Sequence, residues 1–183
     1  MRGNHEGPDS MSFHPHDLPD QLLIKFGNTS QLIYTQLHSL FDLMYHSVII
    51  QNSYLILHGG VPTNFKTVDD IAIANKTNMK TRHLEEILWN DPREMEGSQP
   101  SVRGYGNYFG KDVTERALKV VNTKALIRAH EVCDGFKVDH EGLVLTLFSC
   151  KTPYGNKDAA YLEINQDSYN FNAEELSRIV ELI

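Results

Sequence analysis

Cysteine is scarce in this chain. Cys133 and Cys150 are the only two in 183 residues, so no disulfide framework holds the fold together. Two thiols in a charged chain with no secretion signal read as reduced, and a cytoplasmic location is the expectation. Long apolar runs are lacking as well. The longest, at 54–57 and 143–148, fall far short of the roughly 20 residues that a membrane-spanning helix needs. The opening residues carry no apolar signal-peptide core. Basic runs are absent too: 17 Lys and Arg face 24 Asp and Glu, a formal net charge of −7, so neither a nucleic-acid surface nor a membrane partner is expected. There are no internal repeats and no low-complexity stretches. The chain reads as one soluble domain, long enough to bury a sizeable core.

What is present begins with a dense polar run. Arg2-Gly3-Asn4-His5-Glu6 has no apolar spacing, so it belongs neither to a helix nor to a core strand. Asn4 offers an amide oxygen and His5 an imidazole, while Gly3 lets the backbone turn sharply and a ligand approach closely. Two more histidines end apolar runs that read as strands, His58 before Gly59-Gly60 and His130 after Arg128-Ala129. A lone strand-end histidine is more often hydrogen-bonded to backbone than a ligand. Taken together, one amide oxygen and two imidazoles make a donor set suited to a transition metal.

Helices and strands interleave along the rest. Asp17 is placed to cap a helix over 18–26, with Pro19 in its first turn and Gly27 as its stop. After Asn28-Thr29-Ser30, the spacing of Leu32, Ile33, Leu37, Leu40, Phe41 and Met44 predicts a second helix with one buried face. His38 has polar neighbours and is expected at the surface. His14-Pro15-His16 is loop chemistry, with contact to a substrate or ion the minor reading. Residues 47–50 and 53–57 read as a hairpin turning at Gln51-Asn52. A polar connector over 62–79 holds a short helix near 68–74. A helix over 81–88 buries Leu84, Ile87 and Leu88 and stops at Trp89-Asn90-Asp91-Pro92. Residues 94–102 read as a loop. The glycine-rich 103–110 loop is able to bring the Arg103 fork to a phosphate, although a solvated arginine is the plainer alternative. A helix over 112–121, a strand over 125–129, and a hairpin over 136–138 and 143–149 with His140 and Glu141 solvated at its tip come next. A last strand over 159–164 and a helix over 173–182, started by an Asn172/Glu175 capping box, complete the chain. The pattern is mixed α/β.

Five segments in order carry a resemblance: Gly3 to Glu6, His58 to Gly60, Leu88 to Pro92, Arg103-Gly104 with Phe109-Gly110, and Arg128 to His130. Through about Ile164 the chain resembles the phosphoprotein-phosphatase family of metal-dependent serine/threonine phosphatases, within the calcineurin-like metallophosphoesterases. The family's two earlier motifs, G-D-x-H-G and G-D-x-V-D-R-G, do not occur here. The expectation is therefore one N-terminally incomplete domain over 1–183, similar to the C-terminal two-thirds of a phosphatase. The implied fold is a two-sheet β-sandwich flanked by helices, with metals held at strand ends.

The resemblance also implies chemistry. Such enzymes hold two divalent metals, Mn, Fe or Zn, sharing a hydroxide that attacks phosphorus in line. Asn4, His58 and His130 match the ligands of one of them, and His5 matches the general acid for the leaving seryl oxygen. Arg103 and, in a less certain register, Tyr154 match phosphate-facing residues. Glu6 is expected to pair with Arg2 or Arg128. Asp9, Asp17 and Asp91 match no ligand motif, so at most one ion is expected in this chain, with little activity of its own. The implied function is hydrolysis of phosphoserine and phosphothreonine in protein substrates. The alternative is a non-catalytic phosphatase-like domain that binds phosphorylated or protein partners. The layout that follows has Asn4, His58 and His130 around one point, His5 at its rim, and Arg103 directed into the same cleft.

Overall fold

The computed structural model describes residues 1–11, 13, 15–76 and 81–183, so His14 and the end of the polar connector lie outside the described residues. Helix α1 (Leu18–Phe26) and α2 (Ser30–Leu43) precede the hairpin β1 (Ser47–Ile50) and β2 (Tyr54–Leu57). Next come α3 (Val68–Ala72), α4 (His83–Trp89), and the short strands β3 (Asp91–Pro92), β4 (Ser98–Pro100) and β5 (Asn107–Phe109). The chain continues through α5 (Lys111–Val121), β6 (Ala125–Arg128), β7 (Phe136–Asp139), β8 (Val144–Leu147), β9 (Ala160–Tyr161), α6 (Ala173–Ser177) and β10 (Glu181–Leu182). The fold is α/β, as the alternation of elements implied.

The central sheet has the order β1-β2-β6-β8-β7. The β1–β2 hairpin is antiparallel and turns at Asn52, which takes the left-handed conformation (φ 61°) that asparagine tolerates. Inside the sheet, β2, β6 and β8 run parallel, and β7 closes it antiparallel to β8. Because strand side chains alternate, the two faces bury different sets. Leu55, Leu57, Leu126 and Val144 pack with Ile71, Ile87, Leu88 and the α5 residues Val113, Ala117 and Leu118. Tyr54, Ala125, Ile127 and Leu145 pack with Ala173 and Leu176 on α6. Each fully buried leucine among these contributes about 1.5–3 kcal/mol.

The register of the parallel strands positions the histidines at their ends. Ile56 stands opposite Ile127 in the parallel β2–β6 pair, so the two chains leave the sheet at the same edge. His58 therefore emerges beside Ala129 and His130. Ligand sites in parallel sheets form at the carboxyl ends of strands for this reason.

Several expectations need correction. No residue of α2 is buried, and Leu32 and Leu40 are 61% and 54% exposed. That helix packs on α1, and among the described residues its outer side meets no other layer. The segment expected as loop over 94–110 contains β4 and β5, which pair with each other, while β5 also pairs with β3. Backbone pairing, not side-chain alternation, makes those strands, which is why the pattern concealed them. The last strand shrinks to Ala160–Tyr161. The last helix ends at Ser177, because Glu181 and Leu182 extend to pair with Tyr161 and Ala160. Its Asn172/Glu175 capping box is present. His140, expected in solvent, is 1% exposed: α5 packs over the hairpin tip, Thr114 Oγ1 lies 2.8 Å from Nδ1, and the Arg93 carbonyl lies 3.0 Å from Nε2. Glu141 does stay outside, bound to Lys111. His38 is only partly at the surface, its side chain 25% exposed beside Asp9.

Candidate active site

The opening motif folds as a single 3-10 turn over Asn4–Glu6. The Glu6 carboxylate accepts the Gly3 N–H (3.0 Å), and Arg2 Nε donates to the Glu6 carbonyl (2.6 Å). Glu6 thus closes its own turn; Arg2 turns its fork to Asp42 instead, and Arg128 is engaged elsewhere. Glycine at position 3 is a close-approach requirement, since a Cβ there would stand 3.1 Å from His58 Cε1. The turn carries the buried Asn4 inward until its Oδ1 lies 2.8 Å from His58 Nε2.

His58 and His130 meet at the shared sheet edge with ring centroids 5.1 Å apart. Gly59 allows the exit from β2, because a Cβ on it would sit 2.6 Å from the Leu88 carbonyl carbon. His130 adopts φ 71°, a left-handed backbone unusual for histidine outside turns and functional sites. Its side chain is 2% exposed, and its Nε2 has no hydrogen-bond partner among the described residues. Burial, reinforced by the Arg128 charge, pushes the His58 imidazole down to about 3 and that of His130 to about 2. Both rings are neutral at pH 7, so each keeps one nitrogen lone pair; in the hydrogen bond to Asn4 Oδ1, His58 Nε2 is the donor, and an ion would take the place of that proton.

Beneath the histidines lies a buried charge network. Arg128, 2% exposed, donates from Nε to the Gly59 carbonyl (2.6 Å) and from Nη2 to the Asn90 carbonyl (3.0 Å) and Asp91 Oδ1 (2.8 Å). Its Nη1 donates to Glu131 Oε2 at 3.1 Å. One guanidinium therefore ties the ends of β2, α4 and β6 together. Asp91 is fully buried. Its Oδ1 lies 3.8 Å from His130 Nε2, and its Oδ2 lies 3.2 Å from Arg103 Nε. Burial pushes the Asp91 carboxyl up, while the adjacent Arg128 guanidinium pulls it down.

Arg103 therefore reaches the same cluster through Asp91. Its side chain is 39% exposed, and among the described residues no acceptor engages its two terminal nitrogens. His5 is exposed at the rim, its ring 4.1 Å from Phe13; burial of that ring lowers its proton affinity, which the Glu6 charge partly restores. Tyr154 is not brought in. It is 56% exposed, its ring lies 5.1 Å from Phe148, and among the described residues none of its contacts reaches Asn4, His58 or His130. Asp91 is the residue that sequence reasoning missed. Its place before Pro92 read as a helix stop, and the signal available was an acid flanked by the Trp89-Asn90 end of a buried helix.

The donors fit a divalent ion. Two ligands bound to one ion at roughly 2.0–2.2 Å stand about 3 Å apart, and Asn4 Oδ1 and His58 Nε2 are 2.8 Å apart. His130 Nε2, 3.8 Å from Asp91 Oδ1 and without a hydrogen-bond partner among the described residues, is the third candidate donor. Among the described residues no group of three or more His, Cys, Asp and Glu side chains converges on one point, so the set depends on the Asn4 amide.

Comparison with known proteins adds four findings. Residues 1–134 match the family described as calcineurin-like phosphoesterase. A probable serine/threonine-protein phosphatase of Encephalitozoon cuniculi is 34% identical over 99% of this chain and 39% of its own length. Serine/threonine-protein phosphatase T of Aspergillus oryzae is 34% identical over 81% of this chain and 31% of its own. A solved protein serine/threonine phosphatase from Saccharomyces cerevisiae superposes with a TM-score of 0.76 at 28% identity, covering 100% of this chain and 58% of that one. The chain thus spans between about a third and two-fifths of the length of these curated relatives.

Proposed function

The chain belongs to the calcineurin-like phosphoesterase family, and from that premise we propose that it serves the hydrolysis of phosphoserine and phosphothreonine in proteins. The observation that supports this reading is the proximity of three side chains at one sheet edge, with Asn4 Oδ1 2.8 Å from His58 Nε2, the His58 and His130 rings 5.1 Å apart, and Arg103 held beside them by Asp91. The relatives' names point the same way, since each is a serine/threonine phosphatase.

Members of the family use divalent metals, and Asn4 Oδ1, His58 Nε2 and His130 Nε2 are the atoms that would hold one here. When bound, such an ion supplies an activated water and withdraws charge from a phosphoryl oxygen. In the family a second ion completes a dinuclear site. This chain's own donors provide for one.

The remaining work falls to side chains. Arg103 offers its two terminal nitrogens as a fork to paired phosphoryl oxygens, with Nε braced on Asp91 so that the guanidinium plane is fixed before substrate arrives. His5 stands at the rim, where an imidazole nitrogen can hand a proton to the departing seryl or threonyl oxygen as the P–O bond breaks. Buried Arg128 ties the two histidine-bearing strand ends together, and burial, reinforced by its positive charge, keeps the imidazoles neutral.

The chain by itself is proposed to bind at most one ion and to turn over slowly. The test pairs metal analysis of the purified chain with hydrolysis of a phosphoserine peptide, using a chain extended upstream through G-D-x-H-G and G-D-x-V-D-R-G as the reference. Slow turnover here and fast turnover in the extended chain is the expected pair. No hydrolysis by either would remove the phosphatase reading, and equal rates would remove the claim that one ion limits this chain.

A further inference from the structure

A cavity of about 220 Å³ opens beside His5, and the chemistry above leaves most of its wall unused. Phe13, His16, Tyr34 and His38 line it together with one carboxylate, Asp9; among the described residues no lysine or arginine does. The rings form a continuous chain. Phe13 lies 4.1 Å from His5 and 4.8 Å from His16, and Tyr34 lies 4.3 Å from His38, centroid to centroid. A 3.0 Å hydrogen bond between His16 Nε2 and the Tyr34 hydroxyl ties the segment before α1 to α2 and fixes both rings. Asp9 Oδ1 lies 3.1 Å from His38 Nδ1, yet the Asp9 side chain is 89% exposed and remains open to a visitor. Its charge reaches across the cavity, since burial and then Asp9 hold the Tyr34 phenol above its ordinary value.

Size and chemistry narrow the occupant. Small-molecule pockets usually begin at roughly 300 Å³, so this one suits a single side chain. Aromatic faces attract cations through their quadrupole, most strongly where water is excluded. The rim carboxylate adds a direct charge and disfavours an acidic visitor. Met11 gives an apolar wall along which a long aliphatic stem can lie while its charged head stays at the rim. The cavity also shares His5 with the proposed reacting centre, which puts it within reach of residues flanking a bound phosphoresidue.

We propose that this cavity takes the ammonium or guanidinium side chain of a basic residue flanking the phosphorylated serine or threonine of the substrate. The inference rests on the phosphatase reading, and its test separates the two. Fluorescent phosphoserine peptides differing only in a flanking Arg, norleucine or Glu are titrated with the 183-residue chain and with its Asp9→Asn and Tyr34→Leu variants. In parallel, n-propylguanidinium is titrated while the His16 and His38 imidazole signals are followed by NMR.

The Arg peptide should bind about fivefold more tightly than the norleucine peptide, and Asp9→Asn should bring that ratio close to one. Asp9 is exposed, so this variant keeps the test sound if Tyr34→Leu fails to fold. n-Propylguanidinium should shift the His38 signals of the parent chain and leave those of Asp9→Asn in place. Norleucine or Glu binding as tightly as Arg overturns the proposal, as does a guanidinium titration that moves neither histidine. If no phosphopeptide binds while n-propylguanidinium still shifts His38, the cation preference stands and the phosphatase reading falls.

Discussion

The strand-end cluster and the α1–α2 hairpin are opposites in construction. Around His58 and His130 every approach is enforced. Arg128 spends its whole fork on three chain ends, Asp91 is fully buried, and glycines stand where a Cβ would collide with backbone. On the hairpin, Ile24 and Leu43 are each 79% exposed, and no side chain of α2 is buried. The two regions bury their polar and apolar groups in reversed measure. The buried hydrogen-bond network sits at the strand ends, and apolar residues alone do not make a core unless a second layer covers them.

The sharpest way to break this contrast is to remove its keystone. Arg128→Met should leave Asp91 and Glu131 buried without their shared cation and cost about 3–5 kcal/mol of stability, read as a lower urea midpoint. A near-neutral result would mean that the network is dispensable to the fold.

Acid should act on the same region. Unfolded, both histidines titrate near 6.5; folded, His58 titrates at about 3 and His130 at about 2. Depressed values mean that the unfolded chain binds more protons between those limits, so stability is complete above pH 6.5 and is lost as pH falls. Each ring contributes a slope of about 1.4 kcal/mol per pH unit in that window. Urea melts of the metal-free chain at pH 7 and pH 5 measure it, and equal midpoints would contradict it.

Smaller changes sharpen the comparison further. Gly59→Ala forces a Cβ against the Leu88 carbonyl carbon, 2.6 Å away, and should destabilise by about 1–3 kcal/mol. Leu43→Ser on the exposed hairpin should stay within about 0.5 kcal/mol. Thermal melts of the two variants side by side give the ranking, and a hairpin loss as large as that of Gly59→Ala would show the outer face to be covered after all.

Much of the cluster was legible in the sequence, for a local reason. Residues 58–60 and 128–130 are short polar or glycine-rich interruptions at the ends of apolar runs and residues 3–6 a dense polar run, and such features survive in a linear reading. The bounds of α1 were legible too, because Pro19 and Gly27 punctuate it. What stayed hidden depended on distant partners. His140 is buried only because α5 lies over it, and Asp91 matters only because Arg128 and Arg103 arrive from elsewhere in the chain. The α2 stripe misled in the opposite direction. Helical spacing predicts which side would be buried, not whether anything arrives to bury it.

Asn4, His58 and His130 are proposed to hold one divalent ion. Calorimetric titration of Zn²⁺ into the parent chain and into His130→Ala tests this without reference to activity. One site per parent chain is expected, with affinity weaker by about 10–100-fold or more in the variant, since losing only the hydrogen-bond partners of metal ligands typically costs that much. Binding of equal strength in both, or none in the parent, would contradict it.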